Sequence, residues 1–563
     1  MDTTNLSKVR RDKMLNTISE IKKNIADEKI LTNLSMIENE LTKKKYGLIW
    51  EKHEERVDKE LENQIPTFEE IKDKEIVSRP NEKFNFLLEG DNLHSLYLLE
   101  KTHKEKIDVI YIDPPYNTGN NDFTYGDETL SKEDEYKHSK WLSFMERRLV
   151  IAKNLLSNKG FLFISIDDNE FANLKLLCDS IFGEENFIST LHWKKKKQPS
   201  YLHGQVAGVM EYILVFGKNR TNLEKLSLNS TTDSNTRVDN ATNQISQRTI
   251  KKGIRVKLPS NITVIKAGIY KNKTMSTEYL NNVYIKNGIT QNDFEARARF
   301  RDSQERIDKF CESGVLFITK NYGFRRDKLE EEIAKKKAIT DLLLDWGDNQ
   351  DSDIEIKDIF NEKIFSYPKP VNLIKNIIKS TGYKNCKILD FFAGSGTTGQ
   401  AVLELNKEDN GNRQFILCTN NENEICEKIT YQRLKTIITG FRKDKSKYSD
   451  GIQSNLKYYR CTYIPRINTE TENLHNNLLI NIKNLIQLEN GIEIDDNKIR
   501  VYLNEDELDR FSTNENELEI CEKIYISSDI LLTSEQENIF ENNNIEVYII
   551  PEYYFEDEIM EVM

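Results

Sequence analysis

Two short stretches carry the residue types that could do chemistry. The first is Tyr111-Ile112-Asp113-Pro114-Pro115-Tyr116-Asn117-Thr118-Gly119. The apolar run 107–112 reads as a strand, so Asp113 stands at a strand's carboxyl end, where open α/β sheets place their ligands. Two successive prolines hold φ near about −65° and remove two N–H donors. What remains is a rigid turn presenting two acceptors, the Asp113 carboxylate and the Pro114 carbonyl. Paired, fixed acceptors suit an amino group that must donate two hydrogen bonds, and Tyr116 offers a ring for stacking. A bare Asp-Pro-Pro is also an ordinary strand-ending turn. The strand before it and the aromatic after it favour the chemical reading.

The second stretch is Ile388-Leu389-Asp390-Phe391-Phe392-Ala393-Gly394-Ser395-Gly396-Thr397-Thr398-Gly399. A strand runs into a glycine turn, and a helix begins near Thr398. Glycines let the backbone approach a ligand closely, and a helix N-terminus offers free N–H groups. Gly394 to Gly399 fits GxGxxG, a pattern compatible with NAD, FAD, S-adenosyl-L-methionine or merely a tight strand–helix turn. The next strand, 414–419, is followed by Asn420-Asn421-Glu422, and an acid there is placed to bind ribose hydroxyls.

The two stretches in this order resemble the amino-methyltransferases of DNA, with the arrangement of their beta class. The resemblance is closest to the modification subunits of type III restriction-modification systems. It rests also on Phe86–Leu93, on Phe163-Ile164-Ser165-Ile166-Asp167-Asp168-Asn169-Glu170 and on Phe365-Ser366-Tyr367-Pro368-Lys369-Pro370. The resemblance implies an α/β, doubly wound, mostly parallel methyltransferase (Rossmann-like) sheet, circularly permuted, with an inserted target recognition domain. It implies S-adenosyl-L-methionine as cofactor, contacted by Phe392, Gly394, Gly396 and Thr397, with Lys369 near its carboxylate and Asp91 near its adenine end. Asp113, Pro114, Pro115 and Tyr116 would hold a base turned out of the duplex. An Asp opening the turn, where cytosine-N4 enzymes usually carry Ser, points to adenine N6.

Other readings do less well. A nicotinamide-dependent oxidoreductase leaves Asp113 to Tyr116 unexplained. A catalytically silent nucleic-acid-binding subunit is opposed by the intact acceptors of the turn. A methyltransferase for cytosine N4, for RNA or for a protein glutamine could use the same turn, and a polar insert of about 120 residues favours long DNA.

The elements that must position these residues divide the chain. Residues 1–80 read as an N-terminal helical region, whose apolar faces expect a partner helix within the chain or in a second subunit. Residues 81–218 form the catalytic half of the sheet, 219–345 a polar insert without α/β alternation, 346–440 the cofactor-binding half, and 441–563 a separate acidic region. The net charge of −12 is unevenly placed: 501–563 hold 18 Asp and Glu against 2 Lys and Arg, and the other 500 residues carry +4. Within 221–300 the balance is 13 basic to 6 acidic, the local positive charge that phosphate contact needs. Arg297, Arg299, Arg301, Arg325 and Arg326 are candidate DNA contacts, and Trp193 with Lys194–Lys197 a candidate phosphate grip.

Seven scattered cysteines without a CxxC pair argue for core thiols and no metal site. His192 and His203 have no ligand-like partners. No apolar run approaches the ~20 residues of a membrane helix, and the charged start is unlike a signal peptide, so a cytoplasmic location is expected. The absence of GxxxxGK[ST] leaves any restriction activity to a partner subunit. The remaining expected partners are double-stranded DNA and a second copy of the chain.

Overall fold

The computed structural model describes residues 6–25, 27–42, 50–80, 82–125, 128–131, 134–199, 205–229, 235–271, 275–328, 336–465 and 471–551. His203 and the first five residues lie outside this set. The chain divides into two compact units, the smaller of which is built on 225–339.

The larger unit is organised on a ten-stranded sheet, whose strands are β1 (Gln64–Glu70), β2 (Phe84–Glu89), β3 (Ile107–Ile112), β4 (Leu156–Ile166), β5 (Phe187–Lys194), β6 (Met210–Gly217), β7 (Leu342–Leu343), β8 (Lys387–Asp390), β9 (Gln414–Thr419) and β10 (Asn455–Pro465). Their spatial order is β1-β10-β2-β9-β8-β3-β4-β6-β5-β7. Only β1 and β6 run against the other eight. Successive residues of β2, β3 and β4 are buried on both faces, as expected of strands covered by helices above and below.

Helices α1 (Asn92–His103), α2 (Lys137–Leu155) and α3 (Phe171–Phe182) pack in succession. On the other half, α4 (Asn349–Phe360) and α5 (Thr397–Asp409) each pack on α6 (Tyr431–Thr439). The core they close contains Leu96, Ile110, Trp141, Leu149, Ile164 and Leu389, all 2% exposed or less.

Two sequence expectations are corrected here. The region 1–80 is not wholly helical, because Gln64–Glu70 is an edge strand of the main sheet. Nor is 441–563 separate: β10 lies between β1 and β2, and α7 (Thr471–Asn490) packs on it and on β1. The disguise is electrostatic. Lys457 places a charge in the middle of β10, yet it is fully buried with Glu70, Glu75 and Glu493 around its ammonium. Only the tail beyond 498 builds its own three-stranded parallel sheet, Ile499–Tyr502, Lys523–Ile526 and Glu546–Ile549.

Upstream, helices Leu6–Lys23 and Glu28–Thr42 pack on each other, with Lys22 bridging to Ser35 and Glu38. Among its described residues the smaller unit is nearly all β, with strands of two to five residues in separate sheets and one helix, Gln304–Glu312, over a core that includes Val238, Ile254 and Phe294. Strands so short show no periodicity in sequence. Six of the seven cysteines are buried and all are free thiols. Among the described residues, no helix is long and apolar enough to cross a membrane.

Candidate active site

β3 and β8 are adjacent and parallel, paired through Ile388 with Val109 and Leu389 with Ile110. Their carboxyl ends therefore put the Asp113 turn and the Asp390 turn side by side at one edge of the sheet. Asp113 and Asp390 are 277 positions apart in the sequence and are brought together only by the fold.

The Asp113 turn is built rigidly. Pro114 is buried, and the Pro115 carbonyl accepts from Trp141 Nε1 at 2.8 Å. Asn117 follows at φ +56°, and its buried amide donates to Glu170 Oε1 at 2.6 Å and to the Lys137 carbonyl at 3.2 Å. The left-handed backbone at Asn117 reverses the chain. The turn is thus held from α2 and from the N-cap residue of α3.

Lys369 Nζ donates to both Asp113 oxygens at 2.9 Å and lies 2.8 Å from the Tyr116 hydroxyl. That hydroxyl donates to Asp113 Oδ1 at 2.8 Å and lies 3.2 Å from Glu211 Oε2. Glu211 accepts from Lys195 at 2.9 Å and faces Lys369 at 3.5 Å. Burial alone would lower the Lys369 ammonium, but the Asp113 and Glu211 carboxylates outweigh it and hold its pKa above the ordinary value. For Glu211 burial pulls upward, and the two lysines win, holding it low and ionised. Burial, with Asp113 and Glu211 beside it, pushes the Tyr116 phenol well above 10, so it stays a donor.

Lys369 is thus placed on the Asp113 carboxylate, alongside Tyr116. Glu211 is a partner that sequence reasoning missed; its one signal is a lone acid opening the apolar strand 212–216. Of the lysine run, Lys195 turns to Glu211, and Lys197 pairs with Asp348 and Asp351.

At the second turn, Asp390 accepts from Phe392 N at 3.0 Å and from Thr398 Oγ1 at 2.5 Å. Burial raises its carboxyl to about 7 despite these donors. Gly394 and Gly396 have φ of +47° and +79°, conformations natural to glycine. Gly396 is the N-cap of α5 and has no side chain to satisfy the first N–H groups, which leaves them for an anionic ligand group. Beneath the turn lies a residue absent from the sequence reading, Arg433. Fully buried, it donates to Ser395 Oγ at 3.0 Å, Thr397 Oγ1 at 2.9 Å and Gln400 Oε1 at 2.7 Å.

Asp91 follows β2 and caps α1, accepting from Leu93 N at 2.7 Å. The next residue, Asn92, donates to the Phe391 carbonyl at 2.9 Å and so ties the Asp91 turn to the glycine turn. Phe392 is half-buried and packs on Phe144, ring centroids 5.8 Å apart. Glu422 is exposed in a single helical turn after β9 and is not drawn into this arrangement by any ion pair among the described residues. A turn presenting a carboxylate beside a glycine turn with an uncapped helix can bring two bound molecules together for group transfer.

Residues 107–432 match the family described as DNA methylase, a span that contains both turns and the smaller unit between them. The chain belongs to the DNA methylase family. Within it, the chain is 35% identical over 382 residues to the type III restriction-modification enzyme StyLTI Mod subunit of Salmonella typhimurium, which covers 63% of this chain and 55% of that protein. It is 30% identical to the EcoPI Mod subunit of Escherichia phage P1, over 70% of this chain and 66% of the relative. To the type II methyltransferase M.KpnI of Klebsiella pneumoniae it is 32% identical, over 66% and 86% respectively. The matched part thus spans about half to two thirds of the two Mod subunits.

Proposed function

We propose that the chain is an S-adenosyl-L-methionine-dependent DNA methyltransferase acting on adenine N6, and that it serves as the modification subunit of a type III restriction-modification system. The observation that carries the reading is the adjacency of β3 and β8, which sets the acceptor pair Asp113 and Pro114 next to the glycine turn. Likeness to two Mod subunits supports the type III assignment, and the Asp that opens the turn supports adenine. A restriction subunit and a second copy of the chain are the partners that this role calls for.

S-adenosyl-L-methionine supplies an electrophilic methyl group when bound. The chain's residues do the rest. Gly394, Gly396 and Thr397 present backbone and helix N–H groups to the cofactor, and Arg433 stiffens the turn from below. Asp113 and the Pro114 carbonyl accept the two N–H bonds of the adenine amine. This holds the nitrogen with its lone pair aimed and favours a tetrahedral, reactive geometry over the flat, delocalised one. Tyr116 stacks on the base. Lys369 donates to both Asp113 oxygens and so orients the carboxylate, whose Oδ2 keeps a lone pair for the amine, while Glu211, 3.5 Å away, holds the ammonium from the other side.

Expression in a host without DNA methylation, followed by modified-base sequencing, tests this directly. N6-methyladenine in one sequence context is expected. N4-methylcytosine would overturn the adenine assignment, and unmarked DNA from a protein that binds S-adenosyl-L-methionine would overturn the activity.

A further inference from the structure

The smaller unit has a cleft of about 390 Å³ that includes Arg237, Lys257, Lys320 and Arg325 in its walls, against a single carboxylate, Asp239. None of these four cations forms an ion pair among the described residues. Other cations of the unit are paired: Arg255 with Asp327, Arg297 with Glu278, Arg306 with Asp302 and Lys251 with Asp293. Converging cations repel one another, and an arrangement that leaves them uncompensated is suited to an anionic ligand.

The cleft is also held in shape. Lys257 Nζ sits over the Phe317 ring at 4.0 Å, a contact that fixes its ammonium. Arg325 donates to Asn235 at 2.6 Å. Lys320 belongs to the turn from Thr319 to Gly323, which is pinned by Tyr322 N on the Thr319 carbonyl and by the Tyr322 ring stacked on Tyr270 at 4.3 Å. Asp239 lies within electrostatic reach of Arg237, Arg325 and Arg301 but forms no ion pair with them among the described residues, so this one carboxylate does not cancel the cations of the cleft.

We propose that this cleft is where the smaller unit grips the phosphodiester backbone of duplex DNA, with Arg237, Lys257, Lys320 and Arg325 each facing a phosphate. The inference rests on the DNA-modifying reading above and adds to it the residues that hold the substrate. It also separates the arginines that sequence nominated: Arg325 lines the cleft, Arg297 is ion-paired, and Arg326 is buried against Phe310.

Binding of a fluorescent 25-base-pair duplex to the full chain, measured by anisotropy across a KCl series, tests it. Each lost phosphate contact lowers the slope of log K against log salt by about 0.9. The triple variant R237Q/K257Q/K320Q is expected to bind roughly tenfold or more weakly at low salt, with a slope reduced by about 2 to 3. The control K251Q/R297Q, which removes ion-paired cations, is expected to keep the wild-type slope. A triple variant with wild-type affinity and slope overturns the cleft assignment and leaves the methyltransferase reading intact. A wild-type chain that binds S-adenosyl-L-methionine but no duplex at any salt overturns that reading and the cleft with it.

Discussion

Lys369 is the residue whose placement changes the account of the site most. Resemblance puts it at the cofactor carboxylate, whereas in the structure its ammonium rests on both Asp113 oxygens. The variant Lys369→Met separates the two. If Lys369 acts on Asp113, the single-turnover methylation rate falls by roughly 10²-fold while the cofactor Kd, read by calorimetry, stays within about threefold. A tenfold loss of cofactor affinity with an unchanged rate at saturation would instead favour the carboxylate role. Asp390 offers a second test, through pH. Its buried carboxyl titrates near 7, above the about 3.9 of an unfolded Asp, so folding favours the protonated form. The associated stability is complete below the unfolded value and is lost as pH rises through 7. Wild-type urea midpoints should fall from pH 5 to pH 8. Asp390→Asn, which can still accept from Phe392 N, should flatten that decline, leaving the part due to Glu355, also raised to about 7 by burial. Identical slopes in the two proteins would show that Asp390 does not titrate in this range.

At the scale of elements, β10 shows how charge can hide a core strand. Lys457 sits where an apolar residue is expected, and three glutamates from the β1 end, the following turn and the segment after α7 converge on it. Among the described residues this is the one group of carboxylates close enough together to hold a metal ion, and the lysine ammonium already occupies its centre. Removing one partner of a buried ionic group typically costs about 3–5 kcal/mol. Lys457→Met should therefore lower the urea midpoint markedly, and Lys457→Arg should restore part of the loss. Full stability in the Met variant would mean that the carboxylates find solvent or protons at little cost. Strands β3 and β8 keep apolar centres, 109–112 and Ile388-Leu389, with no buried charge inside them, and that is why their turns were legible from sequence.

At the scale of the whole molecule, the proposed catalytic turns and the proposed phosphate grip fall to different units. The larger unit carries both turns, and the smaller one carries the cationic cleft. Replacing 225–339 with the corresponding segment of a relative of different specificity should change the sequence context of the methylated base but not the atom methylated, as read by long-read sequencing. A chimera that folds, binds cofactor and still marks the original context would place recognition in the larger unit. The overall charge of −12 says little about either role, because the acidic excess belongs to the tail and the cations that matter are local.

The sequence by itself determined the two turns, the alternation around them and hence the α/β class, because each depends on local chemistry: proline and glycine dihedrals, strand-ending acceptors, apolar periodicity. Only the tertiary structure decided what those turns face. Glu211, Lys195 and Arg433 reach the site from β6, the end of β5 and α6, elements with no sequence proximity to it, and Lys369 finds Asp113 across some 250 residues. Such contacts are long-range ion pairs whose geometry is set by sheet order, a property of the packed molecule that no window of sequence contains. The same holds for β10, whose buried lysine becomes intelligible once its three carboxylates are in place.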